Sequence, residues 1–279
     1  MSSRNSASLP LPTLDLSGTA LRSGFEDLVK SAEPGGGVDA YLAALQFKSK
    51  LFAEWFAGKQ LAALDLPRFL GLCTFMPTVR RRIGAWLGEH DYADLHRQLL
   101  LLVHSDADAQ QRLQTFAAGF SNDRRMRWVR DLAAEVMHFS APDEVPLMTR
   151  WIWDAQTGSG VLREIWFEDG GEIDPARVGD GLATFTALAA ELAGFLRDNG
   201  MYRDLPLLQD LLCAHVYARY INDRGAAYLK GDFAGEEDAM AHTRRLLGLD
   251  CYERDGIHMK VKLPESMSVA LATPLQLNA

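Results

Sequence analysis

The chain has 279 residues, 48% of them hydrophobic and 24% charged, and a formal net charge of −8. That length buries a core without covalent staples, and the composition is that of an ordinary globular protein. An acidic chain repels phosphate backbones, so nucleic acid is not expected as a partner.

Cys73, Cys213 and Cys251 are odd in number, far apart and outside any CxxC pair. This argues against a disulfide framework or zinc knuckle and for reduced, buried thiols. The N-terminus lacks the apolar stretch of a secretory signal, and the longest apolar runs, such as 99–103, are far shorter than a membrane span. The expectation is a soluble, cytoplasmic protein without a membrane span.

In chain order, residues 1–12 are Ser- and Pro-rich and read as a disordered tail. Residues 13–279 read as one helical domain. Ser17 is placed to cap a helix to about residue 31, and Glu33-Pro34-Gly35-Gly36-Gly37 breaks the chain. Leu42, Leu45, Phe52 and Phe56 then recur at helical spacing. Pro67 and Pro77 each suit a first helical turn. A helix over 90–103 follows, then one from Ser105 to Phe120, and one from Ser121 or Asn122 to His138.

The middle differs. In 148–154 and 161–167 apolar residues partly alternate, and the turn-like Thr157-Gly158-Ser159-Gly160 lies between, which reads as a β-hairpin over 148–168; the rival reading is two short helices, the first started by Ser140 and Pro142. Helices resume from Asp174-Pro175 to about Asp198, where Asn199-Gly200 stops the chain. Further helices are read over 204–221, 223–230 and 236–247. Residues 257–263 and 267–272 alternate weakly and are candidates for a C-terminal hairpin. The fold class expected is mainly α, an irregular multi-helix bundle with a small β-element near its middle.

The usual signatures of nucleotide-dependent enzymes and hydrolases are absent: no GxxxxGK[ST], no GxSxG, no HExxH, and no GxGxxG after a strand. Three features remain. Arg124, Arg125, Arg127 and Arg130 line the start of a helix beside Trp128. Arg80-Arg81-Arg82 forms a second basic cluster, and Trp151 and Trp153 would share a face if their segment were a strand. Arginine with tryptophan is the composition of protein-interaction hot spots and anion-binding patches. In an acidic chain such patches suit an acidic partner. The expected function is a non-catalytic accessory or assembly protein of a bacterial-type enzyme system, with a protein partner and no cofactor.

The alternative is metal chemistry. Glu135 and His138 are an ExxH pair on one helix, Asp238 and His242 an i, i+4 pair on another, and Glu191 lies on a helix between them. The order Glu-x-x-His, Glu, Asp-x-x-x-His resembles haem-oxygenase-like di-iron oxidases. That resemblance implies an all-helical oxidase holding iron through Glu135, His138, Glu191, Asp238 and His242. It covers those five positions alone, and 95–103 lacks the upstream carboxylate of that family's pattern.

Overall fold

A computed structural model describes residues 11–56, 58–167, 173–174, 177–228, 239–253 and 256–264. It is mainly helical, and the helices begin where short polar side chains satisfy exposed N–H groups. Ser17 accepts from the Ala20 N–H at 3.2 Å and starts α1 (Gly18–Ala32). The glycines at 35–37 redirect the chain into α2 (Gly37–Phe56), with Gly36 at φ 97° and Gly37 at φ 77°. Asp65 caps α3 (Leu66–Cys73), with Pro67 in its first turn. Two short helices follow, α4 (Pro77–Arg80) and α5 (Ile83–Leu87).

Asp91 caps α6 (Tyr92–His104). The cap of α7 (Ala109–Ala118) is Asp108, which accepts from Gln111 N at 2.8 Å, rather than Ser105. Asp123, not Ser121 or Asn122, caps a 3-10 turn at Arg124–Met126 that leads into α8 (Trp128–Ser140). Beyond the middle segment come α9 (Val161–Glu164), α10 (Leu182–Asp198), α11 (Leu205–Tyr228) and α12 (Ala239–Leu247). α10 starts at Leu182 rather than at Asp174-Pro175, and one continuous α11 replaces the two helices expected over 204–230. Residues 1–10, at the core of the expected N-terminal tail, lie outside the described residues; Leu14 is already buried and Leu16 bridges to Trp166.

The expected middle hairpin reduces to one antiparallel bridge, Asp154 with Ser159. Burial explains why. Residues 152–154 and 160–162 are each buried in succession rather than alternately, so neither run has the two-faced pattern of a strand. The Asp154 carboxylate instead accepts from Gln156 N at 3.1 Å and Thr157 N at 3.3 Å, closing a tight polar turn. Among the described residues the strands are β1 (Tyr252–Glu253) and β2 (Gly256–Ile257), an antiparallel pair at the start of the expected C-terminal hairpin region. Residues 265–279, which contain the second half of that pair, lie outside the described residues.

α8 is the axis of the packing. Every residue from Asp131 to Phe139 is buried, and α2, α4 and α7 pack around it. A helix buried on all sides belongs to the centre of a bundle. α1 and α12 close against α11. Within the described residues no helix is long and apolar enough to cross a membrane.

One backbone approach is tight enough to test. Gly248 ends α12 at φ 73°, and a Cβ built there would lie 1.8 Å from the Phe75 carbonyl oxygen. Left-handed strain alone costs a non-glycine residue about 1–2 kcal/mol, and the clash with backbone adds to it. Gly248→Ala should therefore lose more than about 2 kcal/mol in urea unfolding; a loss below 0.5 kcal/mol, the usual range for a neutral surface change, would show that the α12 end is not held against Phe75.

Candidate interaction groove

Three ionisable side chains, Asp131, Glu135 and His138, fall at i, i+4 and i+7 on buried α8 and so share one face. Each has a dedicated partner. Asp131 accepts from Arg150 Nη2 at 2.7 Å and from the Arg150 backbone N–H at 3.2 Å. Glu135 Oε2 accepts from Lys48 Nζ at 2.9 Å. His138 pairs with Asp210 Oδ2 at 2.7 Å through Nε2 and with the Val145 carbonyl at 2.7 Å through Nδ1.

Lys48 is fully buried, and its ammonium has three acceptors for its three N–H groups: Glu135, the Phe75 carbonyl and the Leu247 carbonyl, each at 2.9 Å. The Phe139 ring lies 3.7 Å from Nζ and adds a cation–π contact. Burial pushes the Lys48 pKa down and the Glu135 pKa up, and their mutual attraction opposes both shifts. For His138, burial lowers the pKa, but the Asp210 charge and hydrogen bond, with the Val145 carbonyl, outweigh it and hold the imidazole above 6.5. A carbonyl can only accept, so Nδ1 donates to Val145; when the imidazole is protonated Nε2 donates as well, and its contact with Asp210 is an ion pair.

The start of α8 faces a different surface. A groove of about 740 Å³ runs between the turn before α8, the α4–α5 junction, Trp151 and α12. Arg81 and Arg82 line it from the α4–α5 junction, Arg124, Arg125 and Arg127 from the turn before α8, Arg150 from the middle segment and Arg245 from α12. No Asp or Glu is among its lining residues. Arg125 is paired with Asp123, Arg127 with Asp154 and Arg150 with Asp131. Arg81, Arg82, Arg124 and Arg245 are exposed and have no carboxylate partner among the described residues. Trp128 and Trp151 supply its aromatic lining. A concave surface of one charge sign focuses its field on whatever enters.

Of the residues singled out in the sequence as an interaction surface, Arg124, Arg125, Arg127, Trp128 and Trp151 line this groove. Arg130 does not; its guanidinium is turned to the Asp180 carboxylate. Trp153 does not either: it is fully buried and donates from Nε1 to the Val178 carbonyl at 3.0 Å. The strand that would have put Trp151 and Trp153 on one face is absent, so one tryptophan reaches the groove and the other fills the core. Arg150 and Arg245 were not legible as groove residues, because the first lies in the misread hairpin and the second reads as a helix C-terminal cation. Arg80, within the triple-arginine run, is buried in a bidentate pair with Asp250, both contacts at 2.8 Å.

Of the five metal-ligand candidates, four are described, and each has a different setting. Glu135 is engaged by Lys48 and His138 by Asp210, Glu191 is exposed on α10, His242 lines the arginine groove, and Asp238 lies outside the described residues. Among the described residues no group of three or more His, Cys, Asp or Glu side chains is placed to hold a metal ion. The chain matches no family model, no curated protein and no solved structure.

Two measurements probe the α8 stripe. Lys48→Met leaves the Glu135 carboxylate buried without its partner and should cost on the order of 3–5 kcal/mol, whereas Lys48→Met with Glu135→Leu should recover a large part of that loss. Equal losses in the single and double variants, read by urea unfolding, would mean the two side chains are not coupled.

The second measurement is pH. A raised His138 pKa means that the folded state holds the proton more tightly than the unfolded chain. Its stabilising contribution is complete below the ordinary value of 6.5 and is lost as pH rises through the folded-state value. The stability gap between the wild type and His138→Gln should accordingly shrink as pH rises above 6.5. A gap that widens over that range has the wrong sign.

Proposed function

We propose that this protein is a non-catalytic accessory or assembly factor that grips an acidic segment of a partner protein in the arginine groove. The observation that carries this reading is the groove's lining: seven arginines and two tryptophans among the described residues, with no lining acid, in a chain of net charge −8. Clustering cations against the overall charge of the molecule brings them within reach of one another's fields, and repulsion among Arg81, Arg82, Arg124 and Arg245 is relieved when carboxylates enter. Planar guanidinium groups bind carboxylates bidentately, and the part-exposed indole of Trp151, with the buried Trp128 behind the lining, offers apolar surface to side chains between the acids. Arginine and tryptophan are the residues that most often dominate interface energetics.

The test is fluorescence anisotropy with a labelled peptide rich in Asp and Glu and carrying one or two Leu residues. The wild type should bind it, more weakly as salt is raised. Arg124→Glu with Arg245→Glu should weaken binding at least about ten-fold while leaving Tm within about 2 °C, because exposed, unpaired charges contribute little to stability. A DNA duplex serves as the competing polyanion. Tighter binding of DNA than of the peptide, or indifference to the double charge reversal, would remove the reading.

A further inference from the structure

At the other end of α8, ten residues and about 15 Å along the helix axis from Trp128, His138 lines a second cavity. Its volume is about 210 Å³, and it shares no lining residue with the arginine groove. The 142–147 segment forms one wall, and Phe185, Leu188, Ala189 and Leu192 of α10 form another. Gln209, Asp210 and Cys213 of α11 close it. Most of this surface is apolar. Its buried polar side chains are His138 and Asp210, the latter 6% exposed.

The cavity's hydrogen bonding is unbalanced. His138 commits both ring nitrogens, one to the Val145 carbonyl and one to Asp210 Oδ2. Gln209 donates from Nε2 to the Ala189 carbonyl. Among the described residues nothing donates to Asp210 Oδ1. A carboxylate oxygen that lines a cavity and takes no hydrogen bond from the protein is a group that a ligand N–H can satisfy. Asp143 and Glu144, both exposed, add two further acids to the lining, against the one imidazole of His138. The site therefore favours a donor of positive charge and disfavours an anion.

We propose that this cavity binds a small primary amine with a compact apolar body, the ammonium donating to Asp210 Oδ1 and the body lying against Phe185, Leu188 and Leu192. Size sets the class. An apolar cavity of about 150 Å³ admits benzene, so 210 Å³ holds an aryl or branched alkyl group together with an aminomethyl substituent. Cys213 takes no chemical part, because burial pushes its thiol far above neutrality.

The experiment is calorimetric titration of the full chain with benzylamine, toluene and benzoate. Benzylamine should bind at least about ten-fold more tightly than toluene, since a charge-assisted hydrogen bond is added to the same apolar body, and benzoate should not bind. Asp210→Asn should bring benzylamine to the level of toluene and leave toluene unchanged. Because that variant also disturbs the His138 pair, Ala189→Phe provides an independent arm: it fills the cavity from the α10 wall and should abolish both ligands with the circular dichroism spectrum unaltered. Toluene binding as tightly as benzylamine, binding that survives Ala189→Phe in a folded protein, or no binding of any probe would each overturn the proposal, the last leaving a water-filled hollow. The arginine groove takes no part in these outcomes.

Discussion

The ammonium of Lys48 is the point at which four separate parts of the chain meet. It lies on α2, bonds to Glu135 on α8, and takes the carbonyl of Phe75 before α4 and of Leu247 at the end of α12. A cation inside an apolar core is tolerable only if all its N–H groups are satisfied, and here three donors meet three acceptors. The last-turn carbonyl of α12 is itself the negative end of a helix dipole, so the same charge that satisfies Glu135 also holds that terminus. Gly248 follows because nothing with a Cβ fits between the α12 end and the Phe75 carbonyl. Ion pairs of this sort add little net stability over a well-packed apolar substitute, but they penalise any arrangement that leaves one partner alone. Packing α2 against α8 in a slipped register would do that.

The same logic runs along α8. Its polar face would be unaffordable in the middle of a bundle if Asp131, Glu135 and His138 were not each met by a partner from a different element. Arg150 brings the middle segment to the helix, Lys48 brings α2, and Asp210 brings α11. The stripe thereby ties the position of the arginine groove to the core: Arg150 lines the groove and is fixed by Asp131 from beneath. The buried His215, paired with part-exposed Asp27 at 2.8 Å and with Thr243 at 3.2 Å, joins α1, α11 and α12.

Charge is sorted rather than mixed. Acids outnumber bases over the whole chain, yet the groove at the start of α8 has only basic charged residues, and the cavity at its end is lined by more acids than bases. Two sites of opposite preference at the two ends of one rigid helix are compatible with a protein that holds different chemical groups at once. Their ligands need not compete, since no lining residue is common to both.

The helices were legible in the residues themselves. Apolar spacing, Asp and Ser caps, prolines in first turns and glycine breaks act locally, over a turn or two, and they place α1, α2, α3 and α6 close to where they form. Lys48 also carried a signal: it lies three residues after Leu45 and four before Phe52, inside the apolar stripe of α2, and a lysine in that phase must be buried with partners. Its identity as a partner of Glu135, 87 residues away, was not readable. Glu135 and His138 have the spacing of metal ligands and the spacing of two independent buried pairs alike, and only the arrival of Lys48 and Asp210 distinguishes them. The middle segment misled because partial alternation in a short run does not specify which neighbours bury it. The groove itself joins Arg81 to Arg245 across 164 positions of sequence. Local propensity determined the helices; which charges face one another was decided by tertiary packing, because a buried charge is stabilised by whatever lies within a few ångströms of it, and sequence distance says nothing of that.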